Sequence, residues 1–207
     1  MLIEINAENP NPRKVKQVVE CINDGGVVIY PTDTVYTIGC DLYNKKAMKR
    51  IAQIKGKVDN NAHFSLICRD LKHISEYALP FSNTVFKMMR SVLPGPYTFI
   101  LNANKKVPKI FDFNKSTIGI RVPDNNIARI LVEEIGHPII ATSVHNSSNN
   151  GIEYLADPYL IHEQYGKLVD IVIDGGIGGQ DVSTIIDATE SVPYLIRQGI
   201  GEVEFAA

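Results

Sequence analysis

The 207-residue chain has no tryptophan, only three cysteines and a formal net charge of just −2. Cys21, Cys40 and Cys68 form no CxxC pair, and an odd, dispersed set argues against a disulfide framework or a zinc site. The longest apolar runs fall well short of the roughly 18 residues that a membrane-spanning helix needs, so no membrane partner is expected. The first residues lack a charged start followed by an apolar core, which leads us to expect a soluble, cytoplasmic protein. No GxGxxG, GK[ST] or GxSxG pattern occurs, which removes the dinucleotide, P-loop and nucleophile-elbow routes to function. A near-neutral balance gives no bulk attraction to phosphate backbones, so a nucleotide or RNA site has to be a local patch. There is no biased tract, repeat or linker, and we expect residues 1–207 to form a single domain with a sizeable core.

What is present reads as alternating strands and helices. Strands are expected near residues 2–5, 27–30, 64–68, 97–101, 117–122, 138–141, 171–173, 183–187 and 194–197. One-face spacing predicts helices through Val15, Val18, Val19 and Ile22, through Ala47, Met48, Ile51 and Ile54, and through Val85, Met88, Met89 and Val92. A further helix runs through Ile127, Ile130, Leu131 and Ile135. Asn11-Pro12, Asn44 and Ser82 supply start signals, and Gly25-Gly26 and Gly136 supply stops. Strands and helices interspersed in this way without a repeat imply a mixed α/β fold.

Several segments are polar where core is expected. Pro31 ends the apolar run at residues 27–30, and Thr32-Asp33-Thr34 follows at a strand end, where ligands bind in open α/β sheets. A polar turn capping the next element explains the same residues. Lys55 and Lys57 flank Gly56 at a helix end, where cations also oppose the helix dipole. Arg121 lies among apolar neighbours, and a buried guanidinium needs an anion from the protein or from a ligand. Residues 142–151 are almost all hydrogen-bonding types and read as a surface loop. Gly175, Gly176, Gly178 and Gly179 would let backbone approach a ligand closely.

Taken in order, these marks resemble the Sua5/YrdC/YciO family, most closely its YciO branch. They are Tyr30-Pro31-Thr32-Asp33-Thr34-Val35-Tyr36 with Gly39-Cys40-Asp41, then Lys55-Gly56-Lys57 and Pro94-Gly95-Pro96-Tyr97-Thr98. Ile120-Arg121-Val122-Pro123, Ala141-Thr142-Ser143, Ser183-Thr184-Ile185-Ile186-Asp187 and Arg197-Gln198-Gly199 follow. The resemblance implies a YrdC-like α/β fold, a twisted mixed sheet with helices around it and a large concave groove. It also implies formation of L-threonylcarbamoyl-adenylate from threonine, bicarbonate and ATP, linked to tRNA modification, with magnesium on the phosphates. Carried over residue by residue, Lys55, Lys57, Asn61, Thr117, Ser143 and Arg197 are expected on ATP. Thr34, Arg121, Ala141 and Ser183 are expected on threonine, and Thr32, His63, Cys68, His145 and Asn146 are further candidates. No residue is expected to act as a covalent nucleophile, because positioning and positive charge suffice for phosphoryl-type transfer.

The chain departs from the family at three places. Lys57 stands where the family has arginine, Val144-His145 stands where an asparagine follows Ser143, and Cys68 stands at a histidine position with His63 nearby. The alternative from a different class is a protein that binds double-stranded RNA, tRNA or the ribosome on the same fold with little catalysis. No aromatic stacking set interleaved with a basic run supports it. Oligomeric state stays open. Because a guanidinium grips phosphate with two prongs and an ammonium with one, Lys57→Arg is expected to tighten ATP binding in calorimetry; unchanged affinity would show that the missing fork does not limit binding.

Overall fold

The computed structural model describes residues 1–56, 64–108, 116–148 and 151–203; the side chains of 146–148, 151 and 152 are not described. Its elements in order are β1 (Leu2–Glu4), α1 (Pro12–Asn23), β2 (Val28–Tyr30), β3 (Thr37–Asp41), α2 (Lys45–Ile54), β4 (Ser65–Ile67), α3 (Leu71–Ser75) and α4 (Asn83–Val92). They continue with β5 (Tyr97–Asn102), β6 (Thr117–Arg121), α5 (Asn126–Ile135), β7 (Ile139–Ser143), β8 (His145–Ser148) and β9 (Gly151–Tyr154). The last are α6 (Pro158–Tyr165), β10 (Ile171–Asp174), β11 (Thr184–Asp187) and β12 (Tyr194–Arg197).

The helices begin where short polar side chains can satisfy their first backbone N–H groups. Asn11 accepts from Arg13, Asn44 from Ala47, Ser82 from Val85 and Asn125 from Ala128. Gly136 closes α5 in the left-handed region at φ 83°, a conformation that costs glycine little. Among the described residues no helix is long and apolar enough to cross a membrane.

Ten strands form one sheet in the order β1-β10-β2-β3-β7-β4-β6-β5-β11-β12, and β8 and β9 form a separate hairpin. The large sheet is mixed: β10 pairs parallel with β1 and β2, β4 with β6, and β5 with β11, while the remaining pairs are antiparallel. The expected α/β architecture is therefore present, with more pieces than expected. The sequence reading overlooked β3, whose strand 37–41 was absorbed into the polar segment after Pro31, together with the short α3 and α6. It also read residues 142–151 as loop, although Ser143 closes β7 and residues 145–148 pair as β8 with β9.

Side-chain alternation divides the sheet between two cores. On one face Ile38, Leu66, Phe99, Ile120, Ile140 and Ile186 pack with residues of α2, α4 and α6. On the other, Ile3, Val28, Tyr30, Ile139 and Ile173 pack beneath α1 and α5. Those two helices cover only part of that second face. Past them, toward β5 and β11, the same alternation brings up Ser65, Thr98, Gly119 and Arg121 in place of large apolar side chains. A Cβ added to Gly119 would lie 2.8 Å from Ser65 Oγ and 3.2 Å from a Thr98 methyl, so the three share one surface.

The connection between β2 and β3 lies over that surface and is held from behind by the glycine-rich segment after β10. Tyr36 Oη donates to Gly176 O at 2.7 Å and accepts from Gly175 N at 3.2 Å. Gly179 N donates to Thr34 O at 2.9 Å. A Cβ at Gly178 would come within 2.7 Å of the Tyr36 ring, and one at Gly179 within 2.5 Å of Thr34 O. The glycines thus permit close packing of chain on chain, not approach of a ligand. Since the atom met by a Gly179 Cβ is backbone and cannot swing aside, Gly179→Ala should cost about 1–3 kcal/mol through overpacking. Urea unfolding reads this as a lower midpoint at unchanged m-value, and an unchanged midpoint would mean the backing is not rigid.

Candidate functional site

Above the open part of the face is a cavity of about 190 Å³. Its floor comes from Ser65 and Ile67 of β4, Thr98 of β5 and Arg121 of β6; Thr34 and Val35 roof one side. Lys55, Ser143, His145, Tyr154, Ser183 and Arg197 complete the rim. The sequence led us to look beyond the carboxyl ends of strands. The cavity instead lies across the face, where β7 and β5 run antiparallel to the parallel pair β4 and β6, so the sheet has no single carboxyl edge there.

Arg121 is the group on which the wall turns. It is 7% exposed, and its Nη2 donates to Asp33 Oδ1 at 2.8 Å and to Thr34 Oγ1 at 2.9 Å. The second Asp33 oxygen accepts from Asp124 N at 3.0 Å. The anion that a buried guanidinium requires is therefore supplied by the protein, one of the two sources left open by the sequence. Burial pulls the Arg121 guanidinium below its usual range; Asp33 and Tyr30 oppose that shift, and the charge of Arg197 adds to it. Nε is buried without a partner. Tyr30 Oη is also fully buried without one, and burial pushes its phenol up against the pull of Arg121.

Thr32 orders the roof. Its hydroxyl lies 3.0 Å from that of Thr34, donates to Val35 O at 2.8 Å and accepts from Thr34 N at 3.1 Å. Thr98 Oγ1 and Ser183 Oγ are 2.8 Å apart across β5 and the start of β11. Arg197 on the edge strand donates to Ser183 O at 2.7 Å, and Lys55, the C-cap of α2, donates to Ser143 O at 2.9 Å. Both cations are thereby held at the rim by backbone carbonyls, which fix where the ammonium and the guanidinium sit.

Of the residues singled out from sequence, Lys55, Ser143, Arg197, Thr34, Arg121, Ala141, Ser183 and His145 all line this one cavity. Thr32 supports Thr34 from within the loop. Thr117 stands two residues before Gly119 on the same face of β6 by strand alternation, and it does not line the cavity. Cys68 is a correction. Its side chain is fully buried in the core on the opposite face, beside Leu66 and Ile74, and burial pushes its thiol up, so it offers nothing to a ligand here. Lys57, Asn61 and His63 lie outside the described residues, and the side chain of Asn146 is not described.

Sequence reasoning passed over Ser65, Thr98, Tyr154 and the structural role of Asp33. Period-two alternation could have found the first two, since each stands between apolar residues of a strand that are committed to the core. Among the described residues the lining contains no carboxylate, and no three His, Cys, Asp or Glu side chains group to hold a metal ion. A protein-ligated magnesium site therefore does not fit this wall, because magnesium is usually bound through one or two carboxylates beside phosphate.

Comparison with known proteins gives the following. Residues 20–199 match the Sua5_yciO_yrdC family model, whose description is telomere recombination. The uncharacterized protein YciO of Escherichia coli K12 is 40% identical over 201 residues, covering 97% of this chain and 96% of YciO. Its crystal structure superposes with a TM-score of 0.90 at 38% identity, over 99% of this chain and 98% of that one. A threonylcarbamoyl-AMP synthase of Halorhodospira halophila is 27% identical over 186 residues, covering 90% of this chain and 95% of the enzyme. Pyrococcus abyssi Sua5 complexed with L-threonine superposes with a TM-score of 0.84 at 28% identity, over 96% of this chain but 57% of that one.

The buried pair yields a stability test. Removing one partner leaves the other charge uncompensated, so Asp33→Ala should lower the unfolding free energy by about 3–5 kcal/mol. Adding Arg121→Met to that variant should recover part of the loss in urea unfolding; a double variant less stable than the single one would show that the cost is not an orphaned charge.

Proposed function

This chain belongs to the Sua5/YciO/YrdC family, and from that membership we propose that it is an ATP-dependent nucleotidyltransferase forming an acyl-adenylate of the threonylcarbamoyl-AMP type. The observation that carries the reading is the convergence of Lys55, Ser143 and Arg197 with Thr34, Arg121 and Ser183 on one cavity. Cationic groups and hydroxyls from segments far apart in the chain meet there. The threonine bound by Pyrococcus abyssi Sua5 supports an amino acid as one substrate.

In this reading Lys55 and Arg197 bind the phosphates of ATP at the rim, assisted by Ser143. Arg121, Thr34 and Ser183 take the amino acid. Asp33 already answers the charge of Arg121 through Nη2, so an incoming carboxylate meets the guanidinium through Nη1, which makes no hydrogen bond among the described residues. The amino group adds to bicarbonate with loss of water, giving a carbamate. A carbamate oxygen then attacks the α-phosphorus, the bond to the β-phosphate oxygen breaks, and pyrophosphate leaves. The protein contributes positioning and positive charge near the transferring phosphate, and no step passes through a metal held by the chain.

The test is pyrophosphate release from ATP, bicarbonate and L-threonine. Turnover that needs all three is expected, and its absence together with salt-sensitive retention of structured RNA would favour the binding-protein alternative. Arg121→Lys keeps a charge against Asp33 but removes the planar fork. It should weaken threonine by roughly tenfold or more in calorimetry while leaving ATP affinity little changed, one lost charged hydrogen bond being worth about 1.5–3 kcal/mol. Equal loss of both ligands would show that Arg121 does not face the amino acid.

A further inference from the structure

The cationic rim and the hydroxyl-lined floor account for phosphate and amino acid, but neither accounts for the two aromatic side chains that also line the cavity. His145 opens β8 and Tyr154 closes β9, and the two stand directly opposite in the hairpin register. Their ring centroids are 5.9 Å apart at an interplanar angle of 80°. Both are half-buried. They are the aromatic residues of the cavity lining among the described residues.

The strand carrying His145 is anchored to the body of the protein where it leaves β7. Val144 is 1% exposed within the larger core, and its N–H donates to Tyr36 O at 2.8 Å. Tyr165 Oη, from α6, donates to His145 O at 3.0 Å. The first ring is thus held by core contacts on the strand that follows Ser143, and the cross-strand partner sets the second. Two rings held edge to face form an angular corner, on which a flat heterocycle stacks against one face while its edge meets the other ring.

We propose that His145 and Tyr154 form the seat for the base of the nucleoside triphosphate, with Tyr154 a binding residue that selects a nucleotide over a bare polyphosphate. The inference rests on the nucleotidyltransferase reading and adds to it where the apolar part of the ATP goes. The corner adjoins Ser143, whose carbonyl holds Lys55 at 2.9 Å, so a base on the rings leaves its phosphates pointing at the cations. Stacking on an aromatic face contributes to affinity without needing a specific hydrogen-bond pattern.

Calorimetry with ATP and with inorganic tripolyphosphate separates the claims. The wild-type protein should bind ATP more tightly than tripolyphosphate. Tyr154→Leu should weaken ATP by roughly tenfold to a hundredfold, the range of one base stack, and leave tripolyphosphate unchanged; Tyr154→Phe should retain ATP affinity and guards against a folding defect. Equal affinity of the wild-type protein for both ligands would overturn the base seat while leaving the phosphate wall in place. So would a Tyr154→Leu variant that loses both ligands alike or neither. A wild-type protein that binds neither ligand would overturn the nucleotidyltransferase reading along with it.

Discussion

A guanidinium buried to 7% exposure has to find an anion, and here Asp33 supplies it from a different strand connection. The consequence is mechanical as well as electrostatic. One Asp33 oxygen binds Arg121 at the end of β6, and the other binds Asp124 N just before α5. The connection between β2 and β3 is thereby pinned over the sheet face, and Thr34 is turned toward the same nitrogen of Arg121. Tyr36, the glycine-rich segment and the Thr32 hydroxyl hold the same connection from its other sides. A desolvated charge pair is costly to form and costly to break singly, which suits a contact that must hold one geometry.

The cavity exists because the second face of the sheet is only partly covered. A ten-stranded sheet is wider than α1 and α5 can shield, and the uncovered strands must meet water. The chain meets that demand with Ser65, Thr98, Gly119 and Arg121 on that face of β4, β5 and β6, while the intervening positions remain apolar for the opposite core. A hydroxyl-rich, concave, partly desolvated surface follows from that patterning before any ligand is considered. Cations at its rim, Lys55 and Arg197, then bias it toward anions. Each is tethered to a backbone carbonyl, which positions its charge at the rim.

Much of this was legible in the sequence, and what escaped it did so for identifiable reasons. Capping side chains and one-face apolar spacing marked α1, α2, α4 and α5 with their ends, because those signals are local. Strand β3 was hidden because its buried threonine and glycine follow a run of genuine loop, so no change of composition marks where pairing begins. The hairpin of β8 and β9 looked like loop because the sequence from His145 to Gly151 is almost entirely polar, and cross-strand pairing is not visible in one strand. Arg121 announced a need for an anion but could not name it; Asp33 lies 88 positions away in the chain. The four glycines near residue 175 signalled close approach, and only tertiary contact reveals that the approaching group is Thr34 and Tyr36.

The three departures from the family pattern now carry unequal weight. Cys68 replaces a histidine at a position whose side chain points into the core opposite the cavity, so the change alters packing and leaves the wall untouched. Lys57 keeps its charge in a segment outside the described residues, and what changes there is the shape of the cation. His145 is different, because it stands on the cavity itself, one strand step beyond Ser143 and opposite a tyrosine. A side-chain amide at that point would offer a ligand two hydrogen bonds; an imidazole paired edge to face with a phenol offers it a surface. Of the three departures it is therefore the one that changes the chemistry of the cavity wall in this chain.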